Sequence, residues 1–381
     1  LDVNQQACVL LGRPRQKIVG LHQSQLHPPE EAKQYAKKYR ELLENGRTIT
    51  EDAVVCRADG VIVPVNISAS VTEHGGRRII QGIFRDLSGF RRVGERMAML
   101  NRLKEQLLGE GSLSEKLKLV TDGTIDILGA DFARVWMTDT ADLCDNGCPH
   151  AAVTEGPHVC RDRTMCLHLM ASSGRYTRLD GSHRRVPMGC YKIGRVASGD
   201  DPMFITNDVV HDVRVHNHEW AASLRLVSFA GYKHRSADGK PVGVLALFSQ
   251  KAITADEEAL LQDIANTTSH VILAEKAKKA LKESEVKYRS LFENSGSACM
   301  IVEEDKTISL VNREFEKVSG YSREEIEGKM KWTQFISSQD DLKRMTEYHR
   351  LRRINPSLAP QSYELHFANR RGEEMVMVIT V

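Results

Sequence analysis

Four cysteines that could bind one metal ion lie close together in the sequence. They fall within 23 residues with the spacing Cys-x3-Cys-x11-Cys-x5-Cys: Cys144, Cys148, Cys160 and Cys166. Four thiolates at this density can surround a single soft metal ion. The pattern predicts a site of four cysteines, or of three cysteines and one histidine, that holds either zinc or an iron–sulfur cluster, because both accept thiolate ligands.

The ligand set of this cluster stays open, because further metal-binding side chains surround it. They are His150, His158, His168 and Cys190. The spacing matches neither a ferredoxin run nor the Cys-x2-Cys pairs of common zinc ribbons. A redox-active thiol pair and a haem-linked site are alternatives, but Cys148 is followed by Pro149 and then His150, so the Cys-x-x-Cys-His motif of covalent haem is not met. Free cysteines without a special role are the remaining alternative.

The cluster falls in a polar stretch, residues 143–168, between two predicted strands. A helix and a strand are predicted before it at 114–139, and LHLMASSG at 167–174 has the pattern of the next strand. Two more strands and a closing helix are predicted at 224–233, 240–250 and 254–276. Because the polar stretch contains few apolar residues, a bound metal would fix its conformation.

This order of elements resembles a GAF domain. The run GVLALFS at 243–249 is typical of the end of that family, as is the acidic helix start after it, where Thr254 is a good N-cap and Glu257 stands at the capping-box position. The resemblance identifies residues 113–275 as a GAF domain that contains the cysteine-rich insertion at 143–168.

The GAF resemblance also implies a ligand cavity bordered by the polar segment after the cluster. The residues expected to line it, and to bind a small polar or anionic molecule, are Arg185, Lys192, Asn207, Asp208, Arg214 and Tyr232. The alternative is a solvated loop whose Asn, Asp and His side chains stabilise turns.

The two ends of the chain contain an internal repeat. LDVNQQACVLLGRPRQKIVG at 1–20 matches SLVNREFEKVSGYSREEIEG at 309–328, with Asn4 against Asn312 and Gly12 against Gly320. In each copy the pattern predicts short helices that end at glycines, then a longer helix and a hairpin.

The repeated motif resembles PAS domains, as do the lead-in ESEVKYRSLFENS and the exit motif RDLSGFRR. The resemblance implies a PAS domain at 1–92 without its opening strands and another at 286–381 without its last strand. Both copies lack the cysteine motif of flavin-binding light sensors, so no flavin is expected. Cys8 and Cys299 are expected to be buried as small apolar residues.

Helices with alternating three- and four-residue apolar spacing are predicted to join the domains. The linker helix is predicted at 93–112 and a coiled-coil signalling helix at 273–288. Their seam positions are Phe90, Val93, Met97, Leu100, Lys104 and Leu107 in the first helix, and Leu260, Ile264, Thr267, Val271, Ala274, Lys278, Leu281, Glu285 and Tyr288 in the second. Such a seam favours a homodimer. The alternative, packing of each helix against its own domain, applies above all to residues 254–272.

Composition excludes several classes of protein. Of the 381 residues, 41% are hydrophobic and 27% charged, which is typical of globular chains, and 53 Lys and Arg balance 51 Asp and Glu. This balance gives no general electrostatic reason to bind nucleic acid or anionic lipid. No membrane span or leader peptide is predicted, and a cytoplasmic location is expected. Because the chain begins with Leu and ends inside a strand-like run, it is expected to be part of a longer protein.

The sequence therefore predicts the mixed α/β (α+β) fold class, with PAS, GAF and PAS domains, each a central antiparallel sheet flanked by helices, in the sensory region of a signalling protein. No phosphate loop, nucleophile elbow or other catalytic motif is present, so this region is not expected to be an enzyme. The resemblance implies that a small ligand, a metal or a redox signal controls a downstream output domain, most typically a histidine kinase of a two-component phosphorelay. The alternatives are a metal-dependent enzyme centred on the cysteine cluster and a dimerisation scaffold with empty pockets.

Overall fold

The computed structural model describes residues 2–381, so Leu1, the first residue of the predicted N-terminal domain, lies outside the described residues. The chain divides into two compact units, with the boundary between Leu273 and Ala274. The first unit contains an N-terminal domain and a central domain, and the second contains the C-terminal domain. The fold class is mixed α/β with antiparallel sheets, as predicted.

The N-terminal domain places three helices before a three-stranded antiparallel sheet in the order β1-β2-β3. Its elements are α1 (Gln5–Leu11), α2 (Arg15–Ile18), α3 (Ala32–Asn45), β1 (Arg47–Cys56), β2 (Ile62–His74) and β3 (Arg77–Asp86). The Asn4 side chain caps α1 by accepting a hydrogen bond from the Ala7 amide, and Gly12 ends the helix with φ of +61°.

The central domain begins with two helices and forms a six-stranded antiparallel sheet in the order β6-β5-β4-β9-β8-β7. Its elements are α4 (Ser88–Leu108), α5 (Leu113–Leu128), β4 (Phe132–Thr140), β5 (Met165–Gly174), β6 (Arg185–Pro187), α6 (Tyr191–Ser198), β7 (Met203–Thr206), α7 (His218–Ser223), β8 (Ser228–Arg235), β9 (Pro241–Ser249) and α8 (Ala255–Glu293). The cysteine-rich insertion joins β4 to β5, and its last predicted residues form the start of β5.

The two faces of this sheet pack against different helices, because neighbouring strand residues point to opposite faces. Val135 and Leu245 face the layer formed by α4, α5 and the first half of α8. Trp136 follows Val135 in β4, and Val244 precedes Leu245 in β9. Both face the layer that contains α6 and α7. The second face is the one that carries the larger candidate cavity.

The C-terminal domain shares a helix-capping pattern and a hairpin turn with the N-terminal domain. Its elements are β10 (Met300–Val302), β11 (Ile308–Val311), α9 (Arg313–Ser319), α10 (Arg323–Ile326), α11 (Gln339–Ile354), β12 (Ser362–Ala368) and β13 (Glu374–Thr380). Asn312 caps α9 as Asn4 caps α1, and Gly320 ends it with φ of +75°. The β12–β13 turn contains Gly372 at φ of +74°, matching Gly60 at +83° in the β1–β2 turn.

The helices predicted to form dimer seams divide between core and surface. In α4, Leu100 and Leu107 are buried in the central domain, whereas Phe90 is 81% exposed. In α8, the residues up to Ile272 pack against the central sheet, whereas Leu281 is 71% exposed. Self-packing therefore accounts for the first half of α8, as the alternative interpretation expected. Within residues 2–381, no helix is long and apolar enough to cross a membrane.

Candidate functional site: a cationic cavity beside the cysteine-rich insertion

The four predicted metal ligands line one small cavity of about 10 Å³. Cys144, Cys148 and Cys160 come from the insertion, and Cys166 comes from the start of β5. The other lining residues are Ala141, Leu143, Arg185 and Pro187. A space of this size corresponds to one water-sized sphere, which also fits a single metal ion. The fold thus brings together side chains up to 22 positions apart in the sequence.

All four thiols are unpaired cysteines. Burial raises the pKa of Cys166 to about 12. The pKa of Cys160 is also raised, first by burial and then by the neighbouring thiols of Cys144, Cys190 and Cys148. Deprotonating several thiols in so small a space is unfavourable without a cation, and a bound metal ion would supply that charge and release the protons.

The sulfur atoms surround the cavity without forming a compact coordination sphere. Across the described part of the chain, one group of three or more candidate ligands has all its ligand atoms within 4.8 Å of one another, and it consists of Asp142, Cys166 and His168. Asp142 already binds the guanidinium of Arg185 through both oxygens, at 2.7 and 2.5 Å. This pair lowers the pKa of Asp142 to about 2, chiefly through the hydrogen bond from Arg185.

A larger cavity of about 360 Å³ lies on the sheet face covered by α6 and α7. Five aromatic side chains form much of its wall: Phe132, Trp136, Tyr176, Trp220 and Phe248. Phe132 and Phe248 stack with their ring centroids 4.8 Å apart, and Trp220 packs edge-on against Phe248 at 5.4 Å. Among the described residues that line this cavity there is no carboxylate.

One buried cation, Lys192, and one half-buried cation, Arg134, face this aromatic cavity. The Lys192 side chain, on a residue that is 5% exposed, places its ammonium 4.8 Å from the Phe248 ring centroid and 5.3 Å from that of Trp220. No described residue forms a hydrogen bond or ion pair with this ammonium. Burial, followed by the positive charge of Arg134, lowers the pKa of Lys192 to about 8. Cation–π contacts offset only part of the cost of burying the charge.

The second cation, Arg134, is held by neutral groups. Its Nε donates a hydrogen bond to Ser172 Oγ at 3.1 Å, and its guanidinium lies 5.4 Å from the Tyr176 ring centroid. Burial lowers its pKa. A guanidinium without a carboxylate partner can bind an anionic group through two parallel hydrogen bonds.

Two neutral histidines complete the polar part of the cavity wall. Burial lowers the pKa of His183 to about 4, and the Arg134 guanidinium contributes to this shift. Burial and the Lys192 ammonium lower the pKa of His216 to about 3. Both rings are uncharged at neutral pH, so each can donate one hydrogen bond and accept another.

Of the six residues predicted to line the ligand cavity, Lys192 does so and the other five lie elsewhere. Arg185 borders the cysteine cavity. The Asn207 amide joins two loops by exchanging hydrogen bonds with the backbone of Ile253, at 3.0 and 2.8 Å. Asp208 bonds His211 at 2.7 Å.

The last two of these residues also have other roles. Arg214 pairs with Asp212 and covers the Phe204 ring, with 3.9 Å between its guanidinium carbon and the ring centroid. Tyr232 packs in the opposite layer of the sheet, against the residues of α8.

Sequence reasoning missed Arg134, His183 and the aromatic wall. A signal for Arg134 was present, since Phe132, Arg134 and Trp136 alternate along β4 and therefore share one face. An arginine at an inward position between two large aromatic residues indicates a buried, functional cation.

A cavity of about 980 Å³ also exists in the N-terminal domain, between α3 and the sheet. His27 and Tyr35 stack at its edge with ring centroids 3.6 Å apart. His27 Nδ1 lies 2.6 Å from the Val54 carbonyl oxygen, and the Tyr35 hydroxyl accepts a hydrogen bond from the Val54 amide. Because these polar groups are already partnered, this cavity offers weaker evidence of a ligand than the central one.

Comparison with known families agrees with this arrangement of domains. The family model described as PAS domain matches residues 1–89, the GAF domain model matches residues 112–272, and the model described as PAS fold matches residues 287–355. The chain thus carries a PAS, a GAF and a second PAS domain in this order.

One curated relative is the methyl sulfide methyltransferase-associated sensor of Methanosarcina acetivorans, 27% identical over 124 residues. The match spans 32% of this chain and 12% of that protein. The chain therefore spans only a small part of the length of that relative.

The chain is less similar in sequence to the following solved structures than to this curated relative. The GAF domain of an Acinetobacter phosphoenolpyruvate-protein phosphotransferase is 16% identical, with a TM-score of 0.36 and coverage of 49% of this chain and 98% of that one. The chromophore-binding domain of a bacteriophytochrome from R. palustris is 10% identical, with a TM-score of 0.37 and coverage of 72% and 88%.

Proposed function

We propose that this chain is the sensory part of a signal-transduction protein whose GAF domain binds a small anionic molecule in the cavity around Lys192 and Arg134. The observation that carries the proposal is the ammonium of Lys192, which is buried without a counter-ion in the described structure. An isolated buried charge is strongly unfavourable. A bound anion would compensate two such charges at once.

The volume and the lining residues of the cavity indicate which class of ligand fits it. Its volume of about 360 Å³ is at the small end of the range for small-molecule sites. The aromatic wall favours a planar or apolar body, and the two cations favour a carboxylate or phosphate at one end. A small aromatic carboxylate or phosphate ester satisfies both requirements.

Calorimetric titration of the purified chain with benzoate, phenyl phosphate and the neutral benzamide tests this proposal. We expect at least one of the anions to bind, and benzamide to bind at least tenfold more weakly. Lys192→Met should reduce the anion affinity at least tenfold. Lys240→Met removes the same charge at an exposed site on the β8–β9 turn and should leave the affinity unchanged. Equal affinities for benzoate and benzamide, or no binding of either anion, would overturn the proposal.

The cysteine cavity is proposed as the metal site of the same domain, with zinc or an iron–sulfur cluster as its occupant. What supports this is the convergence of Cys144, Cys148, Cys160 and Cys166 on one ion-sized space. Metal analysis with an absorbance spectrum distinguishes the occupants, because one zinc per chain gives colourless protein and an iron–sulfur cluster gives visible bands. Metal-free protein that remains metal-free after exposure to zinc would contradict both. The free thiols also favour a cytoplasmic location, where cysteines stay reduced.

The joining helices are proposed to carry the signal to an output domain of the same protein, with a histidine kinase as the expected output. Arg96 pairs with Glu257 at 2.8 Å and Lys104 with Asp263 at 2.7 Å, so α4 and the first half of α8 are tied together on the central domain. The exposed apolar residues of both helices support a homodimer, in which ligand binding favours one of two helix packings. A monomer in sedimentation at micromolar concentration would contradict this part of the proposal.

A further inference from the structure

The cavity around Lys192 and Arg134 is called the anion cavity below. It shares one wall with the cysteine cavity, and this wall consists of the strand β6 and the residue directly before it. Arg185 and Pro187 line the cysteine cavity. Arg184 and Val186 line the anion cavity. This alternation follows from the strand period of two, which sends neighbouring side chains to opposite faces. A displacement of this strand would therefore change both cavities.

A second connection runs through Tyr191, which borders the anion cavity directly before Lys192. The Tyr191 amide donates a hydrogen bond to His158 Nδ1 at 3.1 Å, and the two rings stack with centroids 4.2 Å apart. The Tyr191 hydroxyl lies 3.1 Å from His150 Nδ1. Both histidines belong to the cysteine-rich insertion. The insertion thus holds the residue next to the buried cation.

The backbone of Tyr191 needs this support. Its φ is +52°, in the left-handed region that residues other than glycine rarely adopt. Such a conformation is unfavourable for a residue with a side chain and persists only where the surroundings enforce it. Loss of the histidine contacts would let Tyr191 relax, and Lys192 would move with it as the following residue.

Metal binding would fix the positions of the same histidines. Four sulfurs on a tetrahedral zinc ion lie about 3.8 Å apart, because each Zn–S bond is about 2.3 Å. In the described structure, Cys166 is the one cysteine of the four that belongs to a compact ligand group, so the insertion must contract around the ion. His150 is two residues from Cys148, and His158 is two residues from Cys160. An ion that holds these cysteines would therefore also hold both histidines in place.

From these contacts we infer that metal binding at Cys144, Cys148, Cys160 and Cys166 controls the affinity of the anion cavity through His150, His158 and Tyr191. This inference rests on the proposed anion site. A bound ion orders the insertion and fixes Tyr191, so the anion no longer has to order this wall when it binds. Metal-loaded protein should bind the anion more tightly, and by reciprocity the anion should tighten metal binding by the same factor.

The test is calorimetric titration of the chain with benzoate, once after removal of metal by a chelator under reducing conditions and once after reconstitution with zinc. We expect zinc to tighten benzoate binding at least fivefold. His158→Ala removes the contact with Tyr191 and leaves the four cysteines intact, so it should still bind zinc and benzoate with the coupling reduced to less than twofold. His211→Ala, on the exposed loop between β7 and α7, is the matched control and should keep full coupling.

The outcomes separate the two proposals. If benzoate binds with equal or lower affinity after zinc loading, the coupling is wrong and the anion site stands. If zinc does not bind the reduced chain, the coupling is also wrong. If benzoate and phenyl phosphate fail to bind in either state, the anion site itself is wrong. Full coupling in His158→Ala would refute the role given to that histidine.

Discussion

Replacement of Lys192 by Met is expected to stabilise the empty central domain while it weakens anion binding at least tenfold. The lysine is buried without a counter-ion among the described residues, so it destabilises the fold when no ligand is bound. Methionine has a similar volume and length and no charge, and volume-conserving changes of this kind cost little in packing. A residue that destabilises the empty protein and is required for binding is the signature of a ligand site.

The magnitude follows from the pKa of Lys192. Burial lowers it from 10.5 to about 8. A tenfold change in a protonation equilibrium corresponds to about 1.4 kcal/mol, so the buried ammonium destabilises the folded state by about 3 kcal/mol at pH 7. Between pH 8 and 10.5 the unfolded state binds more protons than the folded state, so wild-type stability rises with pH in this window. The advantage of Lys192→Met should therefore be about 2–3 kcal/mol at pH 7 and should shrink toward pH 10.5.

Urea unfolding followed by tryptophan fluorescence measures this difference. Of the three tryptophans, Trp136 and Trp220 belong to the central domain and Trp332 to the C-terminal domain. A Trp332→Phe background therefore reports on the central domain alone, which matters because a multidomain chain does not unfold in one step. At a benzoate concentration about one hundred times the wild-type dissociation constant, wild type should gain about 2.7 kcal/mol and Lys192→Met should gain at most about 1.4 kcal/mol.

Two results would refute this reasoning. The first is a Lys192→Met protein less stable than wild type by more than about 1 kcal/mol, which would mean that the ammonium has a stabilising partner. The second is a stability difference that does not change between pH 7 and 10.5. Lys240→Met serves as the control, because its exposed amine should change the stability by less than about 0.5 kcal/mol.

Three further predictions concern the fold. Gly194→Ala should destabilise the central domain by about 2–3 kcal/mol, because its Cβ would overlap a backbone carbonyl, whereas Gly181→Ala meets open space and should be nearly neutral in urea unfolding. Asn312→Ala removes five hydrogen bonds and should lower the stability of the C-terminal domain by about 3 kcal/mol. Asn4→Ala removes one hydrogen bond and should lower the stability of the N-terminal domain by about 1 kcal/mol. Hydrogen exchange measures the stability of the two domains separately. Burial lowers the pKa of His234 to about 4, so this residue alone should lower central-domain stability by up to about 3 kcal/mol between pH 6.5 and 4, and His234→Leu should be less acid-sensitive by that amount.

The domain order could be predicted from the sequence because the defining positions have local causes. Asn4 and Asn312 accept hydrogen bonds from helix amides three residues later, and Gly12 and Gly320 adopt the left-handed conformation that ends a helix. Such requirements involve a few neighbouring residues, so they leave a readable pattern. The convergence of four cysteines on one cavity was predictable for the same reason, since three of them lie on one short insertion.

The lining of the anion cavity was mostly not predictable, because it depends on which elements pack on the same sheet face. Lys192 lies at the start of α6, Arg134 in β4 and Trp220 in α7, and only the order of strands in the sheet brings them together. The polar segment that contains Asn207 and Asp208 attracted attention because of its composition. Its side chains instead stabilise loops, which is the ordinary role of such residues.

The predicted dimer seam also depends on packing that the sequence does not show. Apolar residues at spacings of three and four predict a buried stripe without saying what buries it. In α4 the stripe is divided, because Leu100 and Leu107 lie in the central core and Phe90 faces outward. In α8 the division falls after Ile272, where contact with the central sheet ends. Only the exposed parts of both stripes are available to a second copy of the chain.

Under the proposed coupling, the position of the insertion would let one domain respond to two signals. The insertion joins β4 to β5, and β5 pairs with β6, so Cys166 lies opposite Pro187 and Leu167 opposite Val186. Cys166 points toward the insertion, whereas Leu167, its neighbour, packs in the layer that surrounds the anion cavity. A metal ligand and a cavity support are therefore consecutive residues of one strand. Because strand residues cannot move independently of their neighbours, a shift of Cys166 on binding of the proposed metal would also alter the packing beside the proposed anion site.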